Sequence, residues 1–196
     1  MDVGVLYSGG KDSTLAALLL DGLCEVTLLC CTFGITDDHE HAQKAAAAVG
    51  LPARRVDLDP GVAHEAVERI VADGFPRNGI QQVHEHALEV ATGLGHDAIA
   101  DGTRRGDRVP TVDRSLAQRI EDRHGVAHLA PLAGIGRAAV DALVAETLVV
   151  ETGPSETVPK GDYEAELRAL VAEREGPETV AELFPEHTQS RVVGRV

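Results

Sequence analysis

Ser8-Gly9-Gly10-Lys11-Asp12-Ser13 separates the first two periodic stretches of the chain, and its reading decides the fold. Before it, Val3–Tyr7 is a short apolar run closed by Ser8-Gly9-Gly10, the pattern of a buried strand. After it, Asp12 to Leu20 carries Leu15, Ala16, Leu18 and Leu19 on overlapping helical faces and stops at Gly22. The hexapeptide is therefore a strand-to-helix turn, and its composition suits phosphate. Gly9 and Gly10 can take backbone angles closed to other residues and let the chain approach an anion closely. Free N–H groups of the following helix point at such an anion, and the helix dipole adds favourable potential. Ser8 and Ser13 add hydroxyl donors and Lys11 a mobile positive charge. Asp12 fits beside phosphate when a Mg²⁺ ion lies between them, because hard cations take carboxylate and phosphate oxygens together.

The alternation continues outward from this turn. Glu25–Phe33 reads as a second strand ending at Gly34, and Asp37-Asp38 opens an Ala-rich helix that runs to Gly50. Arg54–Leu58 is a third strand, followed by helices over Val62–Ala72 and Ile80–Thr92. Asp97–Ala100 is a fourth strand, Arg114–His124 a helix, Val126–Leu129 a fifth strand and Ala138–Glu146 a helix. Strands alternating with helices imply right-handed crossovers and a parallel sheet with helices on both faces. Ligands of such sheets sit at the carboxyl ends of the strands. Beyond Val150 the composition shifts: Glu151–Asp162 is rich in Gly, Pro, Ser and Thr, Asp162–Glu175 and Pro177–Leu183 read as helices, and Pro185–Val196 has no clear period. The expected organisation is one α/β domain over 1–150 and a short helical extension or lid over 151–196.

With 196 residues the chain can bury a core without disulfide staples. No apolar run approaches the about 18 residues of a membrane span, and Met1-Asp2-Val3-Gly4 lacks the basic segment of a signal peptide. The cysteines Cys24, Cys30 and Cys31 are odd in number and lie in or beside an apolar run, which suits a reduced cytoplasmic chain. The net charge is −14, and only Lys11, Lys44 and Lys160 are lysines. Together with five aromatic residues and no tryptophan, this composition points to a halophile's high-salt cytoplasm, where dense carboxylates stay hydrated and their repulsion is screened. An acidic surface normally argues against nucleic acid, but that inference weakens under high salt.

The hexapeptide is not the common phosphate loop Gly-x4-Gly-Lys-Ser/Thr, since Val5 stands five before Gly10 and Asp12 follows Lys11. It resembles in full the signature of the PP-loop superfamily, the N-type ATP pyrophosphatases or adenine nucleotide α-hydrolases. Asp101-Gly102-Thr103-Arg104-Arg105-Gly106-Asp107 is similar to the family's second loop, which lies against ATP and Mg²⁺, and Ala130-Pro131-Leu132 to a Pro-Leu before a helix. The resemblance spans residues 2–148. It implies a five-stranded parallel sheet and cleavage of ATP between the α and β phosphates, with adenylation of an acceptor oxygen and release of pyrophosphate. Carried onto this chain, it implies that Ser8, Gly9, Gly10, Lys11, Ser13, Gly102 and Thr103 bind nucleotide, with the adenine near Thr32 and Phe33. It also implies that Asp12 and Asp107 hold Mg²⁺, and that Lys11, Asp12 and Asp107 form the catalytic set.

Lys160, retained in a chain nearly stripped of lysine, is a candidate to reach phosphate from a lid loop or simply to sit in solvent. Arg77, Arg104, Arg105 and Arg108 carry the same two readings. His39-Glu40-His41 and His84-Glu85-His86 have the wrong spacing for a helical metal pair, which needs residues four apart, and read as structural or surface histidines. Cys30 and Cys31 point to opposite faces of a strand, leaving one thiol that could face the site. Arg191-Val192-Val193-Gly194-Arg195 reads as a frayed, weakly basic tail. The expected activity is adenylation of a metabolite in an amide-ligase-like reaction. The alternatives are a tRNA base-modifying adenylase of the thiolation type and an ATP-binding sensor without turnover. The expected partners are ATP and an unidentified acceptor, tRNA among the candidates, with a homodimer or an amidotransferase partner also open and no membrane.

Overall fold

The computed structural model describes residues 1–155 and 157–196. The chain runs β1 (Asp2–Leu6), α1 (Lys11–Asp21), β2 (Glu25–Thr32), α2 (His39–Val49), β3 (Ala53–Asp57), α3 (Pro60–Asp73), α4 (Arg77–Thr92) and β4 (Ala98–Ala100). It continues through α5 (Arg114–His124), β5 (Ala127–Leu129), α6 (Arg137–Thr147), β6 (Leu148–Pro154), α7 (Tyr163–Glu175), α8 (Pro177–Leu183) and β7 (Thr188–Arg195). The five-stranded sheet is parallel, as the alternating pattern predicts, and its strand order is β3-β2-β1-β4-β5. Val3 pairs with Val26 on one side and Ala98 on the other, so β1 is central. The chain leaves β1 toward β2 and β3 and later returns to its far side with β4 and β5. That reversal opens a crevice at the carboxyl end of β1, where open α/β sheets bind ligands.

Successive strand residues serve opposite faces. Leu6, Leu29, Cys31, Val56 and Ile99 pack with α3, α4, α5, α7 and α8. Val3, Val5, Leu28, Cys30, Ala98 and Ala100 pack with α1, α2 and α6 on the other face. Gly4 is required by this packing: a Cβ there would lie 2.7 Å from His96 Cδ2 and 2.8 Å from Leu29 Cδ1. Helix signals are equally local. Asp59 accepts from the Gly61 amide at 2.8 Å and Pro60 opens α3, while Gly74 closes it in the left-handed region.

Helix α4 begins at Arg77 rather than at Ile80, where the apolar period starts. Gly79 lies so close to α3 that a Cβ would be 2.5 Å from Ile70 Cγ1 and 2.7 Å from the Ala66 carbonyl oxygen, a contact without local sequence signal. The larger correction concerns the tail. The extension carries the expected helices α7 and α8, but β6 and β7 also form an antiparallel two-stranded sheet with Val150 opposite Val192. The stretch read as frayed is β7. Val192 is buried with the α1 and α2 side of the core, and Arg191 reaches Glu151 at 2.6 Å. The pairing is non-local, with α7 and α8 between the two strands, so neither half announces itself.

Candidate functional site

A cavity of about 600 Å³ lies over the carboxyl ends of β1 and β4. Ser8, Asp12, Ser13, Gly102, Thr103, Asp107 and Lys160 line it, so the structure brings together most of the residues singled out from sequence. Gly9, Gly10, Lys11, Thr32 and Phe33 are not among its lining residues.

The first turn of α1 forms one wall. Gly9 takes φ +78 and Gly10 is the N-cap, with no side-chain cap bond. The Ser8 and Ser13 hydroxyls lie 3.4 Å apart, and the Gly10 amide donates to Ser8 Oγ at 3.4 Å. The tail then fixes the loop from outside. The Lys11 amide donates to Ser190 Oγ at 3.3 Å, the Val192 amide to the Gly9 carbonyl at 2.9 Å, and the Gly161 amide to the Ser8 carbonyl at 3.0 Å. The first three amides of a helix have no intrahelical acceptor. With Lys11 taken by Ser190, the Asp12 and Ser13 amides remain without a partner among the described residues.

Charged groups crowd this turn. Lys11 Nζ is 2.8 Å from Asp12 Oδ1 and 2.9 Å from Asp141 Oδ1 on α6. Arg104 Nε is 2.7 Å from Asp107 Oδ1 and 3.8 Å from Asp12 Oδ2. Burial opposes the Arg104 charge, but Asp107, Asp12 and Asp141 hold its pKa above the ordinary value. Its Nη1 is buried with no hydrogen-bond partner among the described residues. Lys160 Nζ pairs with Asp162 Oδ2 at 2.6 Å; burial works against its charge, but Asp162, Glu164 and Asp12 hold its pKa up. Four carboxylates, Asp12, Asp107, Asp141 and Asp162, and three cations, Lys11, Arg104 and Lys160, thus meet around the loop, and of these only Asp141 and Asp162 were not singled out from sequence.

The inner end is different in kind. Asp101 is 1% exposed; its Oδ1 accepts from the Thr103 amide at 2.6 Å and its Oδ2 faces His128 Nε2 at 2.8 Å. Burial alone would raise its carboxyl, but His128, His84 and Thr103 keep it below the ordinary carboxylate value. His84, on the apolar stripe of α4, lines the cavity and faces the Tyr163 hydroxyl at 3.3 Å through Nδ1. Cys31 lines it as well, and burial, with Cys30 and Glu166 nearby, pushes its thiol well above the ordinary range. A thiol so held is a small apolar wall residue and not a nucleophile.

Thr32 and Phe33, expected near an adenine, are engaged elsewhere. Glu166, 2% exposed on α7, accepts from Thr32 Oγ1 at 2.9 Å, from the Phe33 amide at 3.0 and 3.1 Å, and from the Ile35 amide at 3.0 Å. The end of β2 thus has its donors satisfied by a buried carboxylate, which ties α7 to the sheet. Glu166→Gln keeps the shape but turns one acceptor into a donor among these N–H groups. Hydrogen bonds to charged groups contribute about 1.5–3 kcal/mol. The variant is expected to lose about 2 kcal/mol in denaturant-induced unfolding, and unchanged stability would contradict this role.

Among the other candidates, Arg108 lines the cavity, whereas Arg77 and Arg105 are exposed and lie outside its lining. His84 and His86 face different ways, as their spacing requires: His84 is buried, while His86 Nε2 lies 3.4 Å from the Asp59 amide. His39 meets Arg55 at 3.2 Å and His41 meets Arg191 at 3.4 Å, so neither shares a ligand set with the other. Among the described residues no group of three or more His, Cys, Asp or Glu side chains is arranged to hold a metal ion. None of their helices is long and apolar enough to cross a membrane.

Comparison with known proteins adds three findings. The model of the DUF7411 family, a family of unknown function, matches residues 1–194. An uncharacterised protein of Methanocaldococcus jannaschii is 38% identical over 196 residues, covering 99% of this chain and 96% of that protein. A crystal structure from Methanocaldococcus jannaschii, described as a predicted subunit of tRNA methyltransferase, superposes with a TM-score of 0.91 at 36% identity. It covers 100% of this chain and 98% of the solved one. Matched across nearly its whole length, the chain belongs to the DUF7411 family.

Proposed function

We propose that the chain binds ATP with its first β–α loop and cleaves it between the α and β phosphates to activate an oxygen of tRNA. One observation carries the reading: the open N-terminus of α1 at the cavity. There the Asp12 and Ser13 amides lack partners among the described residues, and Ser8, Thr103, Arg104 and Lys160 line the same cavity. Unpaired amides, hydroxyls and mobile cations at a helix N-terminus are what a polyphosphate needs. The RNA acceptor is preferred to a metabolite because a relative so close in structure is described as a predicted tRNA methyltransferase subunit.

Mg²⁺ takes one or two carboxylates together with phosphate oxygens rather than an all-protein cage. Asp12 and Asp107 fit that mode, because both lie beside Arg104 at the loop and would be the carboxylates that hold the ion. When bound, the ion would neutralise charge on the departing pyrophosphate. The chain's own groups supply the rest. Lys11, now shared by Asp12 and Asp141, and the loop amides neutralise and orient the β and γ phosphates. Thr103 and Gly102 shape the floor beside the α phosphate. The acceptor oxygen attacks the α phosphorus while the bond to the bridging oxygen breaks, and pyrophosphate carries that electron pair away. Positioning and electrostatic stabilisation each contribute several kcal/mol to such a step.

The test is pyrophosphate release from ATP and Mg²⁺ in molar KCl, the salt that the acidic composition calls for, with and without deproteinised tRNA. Release stimulated by tRNA is expected. Release stimulated only by a protein-free metabolite extract would return the reading to an amide-ligase-like enzyme, and ATP binding without any release would leave an ATP-holding subunit.

A further inference from the structure

The proposed acceptor must sit somewhere in the cavity beyond the phosphates, and the inner end has a specific chemistry. Its walls are apolar, with Leu6, Leu29, Ile80 and Phe184 in the lining. One polar atom among them is unsatisfied: His84 Nε2 is buried without a hydrogen-bond partner among the described residues, in a residue only 4% exposed. A buried polar atom left unpaired is costly, and a ligand that pairs with it relieves that cost. The ring is held from its other side. Its Nδ1 lies 3.3 Å from the Tyr163 hydroxyl, with the two rings edge to face at a centroid distance of 6.1 Å.

We infer that this inner end seats a carbonyl-bearing nucleobase of RNA, with His84 Nε2–H donating to the carbonyl oxygen. The inference rests on the RNA-acceptor reading above and names the base class that it requires.

The direction of the hydrogen bond follows from the acidities. Burial pushes the Tyr163 phenol well above its ordinary pKa, so it keeps its proton. Burial also lowers the His84 pKa, although Asp101 opposes this, which favours the neutral imidazole. A phenol is the better donor and an imidazole nitrogen the better acceptor, so the Tyr163 O–H donates to Nδ1 and the single ring proton is on Nε2. An N–H in an apolar slot selects a carbonyl oxygen. Uracil, cytosine and guanine each offer one and adenine does not. Activation of an acceptor oxygen makes the same demand, since a base without a carbonyl has no oxygen to adenylate. A flat ring between Leu29, Ile80 and Phe184 would bury its faces while its polar edge met His84.

The experiment follows the imidazole nitrogens of the ¹⁵N-labelled full chain by NMR as uridine, cytidine, guanosine and adenosine are each added at millimolar concentration. ATP binding is measured in parallel by calorimetry. At least one of the three carbonyl-bearing nucleosides is expected to shift the His84 Nε2 resonance, adenosine to leave it in place, and the shift to persist at saturating ATP. His84→Phe should weaken that nucleoside about tenfold or more, and His84→Gln, which returns a donor, should recover much of the loss. No response to any nucleoside, a response to adenosine alone, or displacement by ATP overturns the inference. An ATP heat without a nucleoside response sinks only this pocket, whereas a nucleoside response without an ATP heat sinks the ATP reading and leaves the pocket standing.

Discussion

Gly102→Ala is expected to weaken ATP binding ten- to a hundredfold while leaving the sheet intact. A Cβ on Gly102 would lie 2.7 Å from both Ser13 Cα and Ser13 N and 3.0 Å from the Asp12 carbonyl carbon. These are backbone atoms of the first turn of α1, so no side chain can swing aside. Either the 101–107 loop lifts or the turn moves, and both disturb the same place. Thr103 is tied to Asp101, and Arg104 spans Asp107 and Asp12 across the contact. Overpacking costs about 1–3 kcal/mol, and every 1.4 kcal/mol is about tenfold in affinity. Calorimetric titration with ATP measures this, and circular dichroism checks that the fold survives. Wild-type affinity in the variant would mean that the nucleotide does not depend on the meeting of these two loops.

Asp12→Asn should reduce tRNA-stimulated pyrophosphate release by about 10²–10³, the range seen when one transition-state stabilising group is removed. Its effect on ATP affinity should be far smaller. The substitution preserves shape and removes one carboxylate of the proposed metal pair, together with an ion-pair partner of Lys11. Asp141→Asn separates the two effects. Asp141 holds the same ammonium at 2.9 Å, but its side chain is 47% exposed and lies on α6, outside the lining of the cavity. If Asp12 matters only by placing Lys11, the two variants should fall together. If it serves the phosphates and their cation, Asp12→Asn should fall much further in kcat, and near-normal release would remove it from that role.

The parallel sheet was legible because its signals are local. Short apolar runs, Gly-closed turns and the helical spacing of Leu15, Leu18 and Leu19 each occupy a few residues. The strand-to-helix turn was legible for the same reason, since Ser8-Gly9-Gly10 separates β1 from α1 within one short segment. What stayed hidden depends on distant chain. Ser190 reaches the Lys11 amide from 179 residues away, and β7 was mistaken for a frayed tail because its partner strand lies beyond two helices.

Two buried polar residues carried a signal that a reading by residue class passed over. Glu166, Leu167, Leu170 and Val171 form the buried face of α7, so a carboxylate sits within an apolar stripe. His84 holds the same kind of position among Ile80, Val83, Ala87 and Leu88 on α4. Polar groups on apolar stripes demand partners. Glu166 finds them at the end of β2, and among the described residues His84 finds only one.

A crystal structure with α,β-methylene-ATP and Mg²⁺ bears most directly on the phosphate turn. The β and γ phosphates should rest on the Asp12 and Ser13 amides, with Lys11 swung from Asp141 onto their oxygens and Asp12 and Asp107 facing the ion. An analogue bound elsewhere at saturating concentration, with this turn bare and Lys11 still on Asp141, would contradict the assignment.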